Sequence, residues 1–335
     1  MYTKDGESYF IVDGHVHLWD GSDENCKNIH GHQFIECFYG YTTSLSPAEY
    51  VWDFKKYQKY SADDMMHDLF EIGYVDHAIH NSVNLWDFYH NGFARTEEAW
   101  QLAQQHPGKF TVNGTWDSRE GEQGLEELER DAERFGLQGV KLYTAAWYGE
   151  SRGFKMSDPW AYKYLEKCQE LGIKNIHVHK GPTLTPLDKD AFDVSDIDHC
   201  ASDFPDLRFI VEHVGLPRLD DFCWIAVQES NVYAGLSVAM PFIHPRPRYF
   251  AQIMGELLFW VGEDKMLFSS DYALWHPKWL IEKFVDFQIP EDMQSEYGTM
   301  TTDMKKKILG LNAAALYPET IKVPAEFQLK EAAAV

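Results

Sequence analysis

Two histidines spaced two residues apart are the first candidates for chemistry in this sequence. His15 and His17 fall at the end of a short apolar stretch typical of a β-strand, and residues two apart on a strand point to the same side. Neutral imidazole is a common metal ligand. Because the chain contains 15 histidines, a chance His-x-His is not rare, and the pair alone is weak evidence for a metal site.

Three further candidate ligands stand at the carboxyl ends of other β-rich stretches. These are His179, His213 and Asp271. Scattered core histidines would show no such preference, so the shared placement strengthens the metal hypothesis. His177 shares a strand face with His179 and is the alternative there; we favour His179 because it lies nearer the strand end. His213 could instead bond a backbone carbonyl. Asp271 could cap a helix, but a buried carboxylate at this place needs a cation.

Eight β-rich stretches must position these residues. They lie at 10–16, 75–83, 110–116, 137–143, 174–178, 208–214, 231–238 and 266–271. Helical patterns lie between most of them, at 96–106, 124–135, 158–171, 221–229, 247–261 and 277–287. Eight βα units predict a (β/α)8 TIM barrel formed by one domain over residues 1–335, because the doubly wound alternative usually has fewer strands.

Two segments do not fit the repeat. An insertion at about 20–60 follows the first strand, and residues 31–60 hold nine aromatic side chains. Since the first βα loop emerges on the active-site face of a barrel, we predict that the insertion walls one side of the substrate pocket. A packed subdomain or a homodimer contact is the alternative. The tail at about 318–335 ends in an alanine run, and we expect a frayed or loosely docked end.

Composition limits the classes of partner. The formal net charge is −23, which disfavours nucleic acid and anionic membranes and favours a small-molecule partner. No apolar run approaches the roughly 18 residues that would span a bilayer. The first residues lack a hydrophobic signal core, so a cytoplasmic location is the default expectation. The five cysteines are odd in number and have no metal-type spacing, which favours reduced thiols.

The motifs, taken in order, resemble the amidohydrolase superfamily, and within it the amidohydrolase-related branch that includes aminocarboxymuconate semialdehyde decarboxylase. The resemblance implies a barrel fold and a metal-dependent enzyme, and says little about the substrate. The motifs that carry it are Asp13-Gly-His-Val-His17, Gly139-Val-Lys-Leu142, His179, Glu212-His213-Val-Gly215, Ser269-Ser-Asp-Tyr272 and Ile308-Leu-Gly-Leu-Asn312.

The resemblance implies a single divalent metal held by His15, His17, His179 and Asp271, with His213 beside it as a catalytic residue. Three imidazoles and one carboxylate suit zinc and also accept manganese or iron. Such an ion lowers the pKa of a bound water from about 15.7 toward 7. With an intrinsic pKa of about 6.5, His213 would take or return the proton, and Asp271 would hold the water.

Lys141 decides the expected number of metals. Binuclear members of the superfamily place a carboxylated lysine at this strand position, where it bridges two ions, and their fifth- and sixth-strand histidines bind the second ion. His179 and His213 would fill those two places. The branch that this sequence resembles is mostly mononuclear and often keeps an unmodified lysine here. We therefore expect one metal.

Substrate recognition is expected from the loop at 241–248, in which His244, Arg246 and Arg248 could meet a carboxylate. Arg246 is the first choice. The alternative is that these arginines pair with surface Asp or Glu in a strongly acidic protein. Other candidates lie on predicted strand ends and loops: Lys180, Tyr143 and Trp147. A pocket formed by them and the aromatic insertion would suit a small, partly apolar or aromatic substrate.

The leading hypothesis is a metal-dependent hydrolase in which a metal-activated water attacks a small organic substrate. The first alternative is a non-oxidative decarboxylase of the aminocarboxymuconate semialdehyde type. Decarboxylases of hydroxybenzoates commonly carry glutamate in place of the first histidine of the pair, whereas this chain has His15. A non-catalytic accessory protein is the third hypothesis, and it is disfavoured because an idle site has no physical reason to keep several buried polar groups.

Overall fold

Eight parallel strands form the centre of the computed structural model, which describes residues 1–327 and 329. An N-terminal hairpin precedes them, formed by β1 (Tyr2–Lys4) and β2 (Glu7–Tyr9). The barrel strands are β3 (Val12–Val16), β4 (His77–Asn81), β5 (Phe110–Asn113), β6 (Gly139–Leu142), β7 (Asn175–His179), β8 (Arg208–Glu212), β9 (Val232–Gly235) and β10 (Met266–Leu267). Each of the eight predicted stretches overlaps one of them, and seven contain the whole strand; β7 extends one residue beyond its predicted stretch 174–178.

The strands pair in two parallel groups, β3-β4-β5 and β6-β7-β8-β9-β10. A parallel bridge between Gly114 and Val140 joins β5 to β6. A second bridge, between Val16 and Tyr272, joins the end of β3 to the segment after β10. These two bridges close the ring, and the predicted (β/α)8 barrel is confirmed.

The helices surround the ring and also form much of the segment between β3 and β4 and of the segment after β10. They are α1 (Ile29–Leu45), α2 (Phe54–Gln58), α3 (Ala62–Met66), α4 (Thr96–Gln105), α5 (Gly121–Phe135), α6 (Pro159–Glu170), α7 (Asp196–Asp203), α8 (Leu219–Gln228), α9 (Pro247–Trp260), α10 (Pro277–Asp286), α11 (Gln294–Tyr297), α12 (Thr302–Lys306) and α13 (Asn312–Leu316). Proline occupies the first turn of α6, α9 and α10, where its missing N–H costs no helical hydrogen bond.

The insertion after β3 folds mainly as α1 and α2. The Asn28 side chain caps α1 by accepting a hydrogen bond from the backbone N–H of His30. The buried residues of α1 recur at helical spacing: Gly31, Phe34, Ile35, Phe38 and Thr42. Helix α1 was not predicted, although this spacing was present in the sequence, because two glycines and many aromatics in 29–45 give a low helix propensity.

The tail packs on the barrel as far as the structure describes it. Phe327 is buried, and its ring centroid lies 5.8 Å from that of Phe10, just before β3. The remainder of the predicted tail, residues 328 and 330–335, lies outside the described residues. In the part of the chain that the structure covers, no helix has the length and apolar character needed to cross a membrane.

Candidate metal centre

Three side chains converge at the carboxyl ends of β3 and β10. The Nε2 atoms of His15 and His17 lie 3.0 Å apart. Asp271 Oδ1 lies 3.3 Å from His17 Nε2 and 3.7 Å from His15 Nε2. All three residues are buried. Within the described residues, they form one group of donor atoms spaced closely enough to hold a single ion.

The hydrogen bonds of the two rings determine which nitrogen faces the group. His17 Nδ1–H donates to the Asn81 carbonyl at 2.6 Å, and His15 Nδ1–H donates to Glu212 Oε2 at 3.0 Å. Both Nε2 atoms therefore carry lone pairs, and these lone pairs face each other and the Asp271 carboxylate. Such an arrangement is repulsive unless a cation lies among the three atoms. The donor set fits a divalent metal such as zinc, manganese or iron.

Asp271 is held in place by the turn after β10. Its backbone has φ of 57°, in the left-handed region that non-glycine residues rarely adopt. The neighbouring Ser270 donates its N–H and its hydroxyl to the buried Asp13 carboxylate at 2.9 and 2.5 Å, which ties the turn to β3.

His179 and His213 form a second histidine pair beside the first. His213 Nε2–H donates to His179 Nδ1 at 2.9 Å, and His179 Nε2–H donates to the Pro182 carbonyl at 3.3 Å. The structure thus brings together three of the four expected ligands, whereas His179 faces His213. His213 has φ of 68°, and burial lowers its pKa to about 3, so its ring is neutral at pH 7.

Glu212, at the end of β8, orients two histidines. Its Oε2 accepts from His15, and its Oε1 accepts from His177 Nδ1–H at 2.6 Å. His177 Nε2 lies 2.7 Å from the Tyr317 hydroxyl, so this histidine is occupied away from the cluster. We assigned Glu212 no role from the sequence. The sequence nevertheless contains a signal for such a role, since Glu212 directly follows the apolar run Phe209–Val211 and should therefore be buried. A buried carboxylate requires a partner.

A narrow cavity opens onto the cluster. Phe38 and Tyr41 of α1 line it, in agreement with the prediction that the insertion walls the pocket. Lys141 of β6 also lines it. Burial lowers the pKa of this lysine to about 8, and its Nζ has no hydrogen-bond partner within residues 1–327 and 329. The other lining residues are His15, His17, Val83, Phe93, Tyr143, His179, Pro182, Leu184, His213, Val238, Asp271, Leu274 and Trp275.

The remaining substrate-binding candidates do not line this cavity. Lys180 is buried with its Nζ 2.8 Å from Asp196 Oδ1. Trp147 lines a separate cavity, and the Arg152 guanidinium lies 3.5 Å from its ring centre.

The loop at 241–248 also directs its charged side chains away from the cavity. Arg246 and His244 are exposed, and the Arg246 guanidinium lies 4.3 Å above the Tyr249 ring. The reason is the turn at Met240–Ile243, whose buried apolar residues turn the rest of the loop outward. Arg246 and His244 thus do not line the cavity, and their contact with a substrate stays a prediction. Arg248 pairs with Asp292 at 2.8 Å, as the surface alternative proposed.

Comparison with known proteins defines the class. Residues 12–318 match the family model described as Amidohydrolase, and the chain belongs to the amidohydrolase family. Its fold is that of the metal-dependent barrel enzymes of this family. A comparison with curated proteins finds no match.

Solved structures of the same fold share little sequence with the chain. An uncharacterised TIM-barrel protein from Bordetella bronchiseptica has a TM-score of 0.68 at 19% identity, covering 92% of this chain and 99% of its own. A 5-carboxyvanillate decarboxylase from Novosphingobium aromaticivorans, complexed with manganese and 4-hydroxy-3-methoxy-5-nitrobenzoic acid, has a TM-score of 0.58 at 16% identity, covering 93% and 96%. A probable 2-pyrone-4,6-dicarboxylic acid hydrolase from Acinetobacter baumannii has a TM-score of 0.56 at 14% identity, covering 92% and 99%. At these identities the likeness concerns the fold alone.

Proposed function

We propose that this chain is a metal-dependent hydrolase that acts on a small organic substrate and holds one divalent ion, preferably zinc. His15, His17 and Asp271 hold the ion, and His179 is the candidate fourth ligand. The observation that carries the proposal is the 3.0 Å approach of two Nε2 atoms that both carry lone pairs. A proton shared between the rings would be an alternative cation, but burial lowers the pKa of His15 to about 4.

The chain's own residues supply the proton transfer. A divalent ion at this place supplies Lewis-acid activation of a water molecule or of a substrate oxygen. His213 is neutral, so it accepts a proton and later returns it to the leaving group. The Ser237 hydroxyl lies 3.0 Å from His213 Nδ1 and donates to Glu212 Oε2 at 3.2 Å, which fixes the ring beside it. Asp271 Oδ2, 3.8 Å from the same nitrogen, stabilises the imidazolium once it forms.

Metal analysis combined with a substrate screen tests the proposal. We expect about one equivalent of transition metal per chain, and turnover of one class in a panel of lactones, amides, enol esters and carboxylates. His15→Ala should lose metal and activity together, whereas His67→Ala, a control at an exposed histidine, should keep both. Full metal occupancy and turnover in His15→Ala would refute the site. Two equivalents, or a carbamate on Lys141, would replace the one-metal arrangement with a binuclear one.

His213→Asn separates proton transfer from metal binding. We expect the variant to keep its metal and to lose turnover by roughly 10²- to 10⁴-fold, the usual scale for a general acid or base. The wild-type pH–rate profile should contain a limb that disappears in the variant. If the variant loses its metal, His213 is a ligand and the proton must be transferred by another group.

The second candidate function is a non-oxidative decarboxylase. The Lys141 ammonium in the cavity favours it, because a carboxylate is the natural partner of a buried cation. The manganese-bound 5-carboxyvanillate decarboxylase shows that a fold of this type supports that reaction. Release of CO2, recorded in the same screen, decides between the two reactions.

A further inference from the structure

Three buried hydrogen-bond donors in the cavity have no partner among the residues that the structure describes. They are the Lys141 ammonium, the Tyr143 hydroxyl and the Trp275 indole N–H. At most 7% of each residue is exposed. A buried polar group without a hydrogen bond costs a few kcal/mol, and an isolated buried charge costs more. All three residues line the cavity that opens onto the metal cluster, so a ligand there can satisfy them together.

The carboxylates nearest Lys141 already have assigned partners, two histidines for Glu212 and the proposed metal ion for Asp271. Glu212 accepts hydrogen bonds from His15 and His177, and Asp271 lies against the Nε2 atoms of the first histidine pair. By contrast, the buried Lys180 has Asp196 at 2.8 Å, and the buried Lys305 donates to the Val285 carbonyl at 2.6 Å. Among these three buried lysines, Lys141 is the one whose ammonium has no bonded acceptor.

The rest of the lining is mostly apolar. The Tyr41 hydroxyl is used, since it donates to the Thr183 carbonyl at 3.1 Å. Beyond the histidines, Asp271 and the three unpartnered donors, the other lining residues are Phe38, Val83, Phe93, Pro182, Leu184, Val238 and Leu274. A second charged group that faces away from the metal cluster would therefore be buried without a partner.

We propose that Lys141, Tyr143 and Trp275 together bind the carboxylate of a substrate that carries one anionic group and an apolar body. The inference rests on the proposed function, because it places this carboxylate beside the same metal cluster. Lys141 supplies the charge, and Tyr143 and Trp275 each supply one hydrogen bond to the carboxylate oxygens. The apolar body lies against α1 and Leu274. Dicarboxylates and neutral amides are the excluded ligands.

Calorimetric titration of the zinc-loaded protein tests this assignment. The probes are benzoate and butyrate, each paired with its neutral amide, and isophthalate as a dicarboxylate. Each acid should bind wild type more tightly than its amide, and benzoate more tightly than isophthalate. Lys141→Met should weaken benzoate binding by about 10- to 100-fold, the range for a hydrogen bond to a charged group. Tyr143→Phe and Trp275→Phe should weaken it by about 3- to 10-fold.

The controls separate this inference from the proposed function. Lys305→Met removes another buried ammonium and should bind benzoate as wild type does. Lys141→Met should keep one equivalent of metal, and Lys141→Arg should retain most of the binding. Unchanged benzoate affinity in Lys141→Met, or acids that bind no better than their amides, overturns the assignment even when the metal and hydrolysis results hold. Loss of metal in Lys141→Met also overturns it, because Lys141 is then part of the metal site.

Discussion

The segments after β3 and after β9 differ in how they relate to the cavity. The first, α1, carries no basic side chain except His30 and His32 and contributes Phe38 and Tyr41 to the cavity wall. The second, 241–248, carries two arginines and a histidine, all of them exposed. Buried aromatic residues therefore mark the wall of this site better than exposed cations do, because burial against the barrel requires apolar surface while arginines remain hydrated.

The largest effect is expected from Phe34→Ala. Phe34 of α1 is fully buried, with ring centroids 4.7 Å from Phe38 and 5.3 Å from Phe93. Removing the ring should lower the free energy of unfolding by about 3–5 kcal/mol. Urea denaturation measures it. The matched control is Phe259→Ala on α9, where the ring is 66% exposed and a loss within about 0.5 kcal/mol is expected. Equal losses in both variants would contradict the comparison.

Phe38→Leu changes a residue that lines the cavity, whereas Phe34 packs behind the cavity wall. The smaller side chain leaves space beside the apolar body of the substrate, so KM should rise by about tenfold while kcat stays close to the wild-type value. Steady-state kinetics on the substrate found in the screen measures it. Tyr249→Leu changes an aromatic residue that does not line the cavity and should leave KM unchanged. If Tyr249→Leu raises KM more than Phe38→Leu does, the cavity wall has been assigned to the wrong segment.

The sequence predicted the barrel strands better than the roles of the side chains around them. Strand β8, for example, contains the continuous apolar run Phe209–Val211 and ends in the polar Glu212, so its position and its functional end can be read locally. The link between Glu212 and His15 joins residues almost 200 positions apart, and no local pattern specifies it. The outward course of 241–248 depends on which apolar residues of Met240–Ile243 become buried, and this too is a tertiary property.

A smaller effect is expected from Asp64→Asn in α3, just after the insertion. The Ser61 hydroxyl and Lys56, 2.9 Å away, lower the pKa of the Asp64 carboxyl to about 2. A depressed folded-state pKa stabilises the fold above the unfolded value of about 3.9, and this stabilisation is lost as the pH falls toward 2. The variant should lower Tm by about 1–2 °C at pH 6, and the difference should shrink toward pH 2.

The matched control for Asp64 is Asp292, a carboxylate whose partner Arg248 lies on the other segment. Asp292 pairs with Arg248 at 2.8 Å, and both side chains are 62% exposed. Such pairs contribute little because water screens them, so Asp292→Asn should change Tm by less than about 1 °C. Thermal scans of both variants at several pH values make the comparison. A constant difference for Asp64→Asn across that range would show that its effect comes from the helix cap rather than from the charge.

The smallest effect is expected from Arg246. Its guanidinium contacts the Tyr249 ring at the surface, an interaction of about 0.5–1 kcal/mol at exposed sites, and it does not line the cavity. Arg246→Ala should keep wild-type metal content, KM and benzoate affinity. Arg246→Glu is the stricter variant, because a reversed charge near an anionic substrate would repel it. A rise in KM of more than about threefold in Arg246→Glu, with no change for a neutral substrate analogue, would mean that this loop reaches the substrate and that exposed cations do contribute to the site.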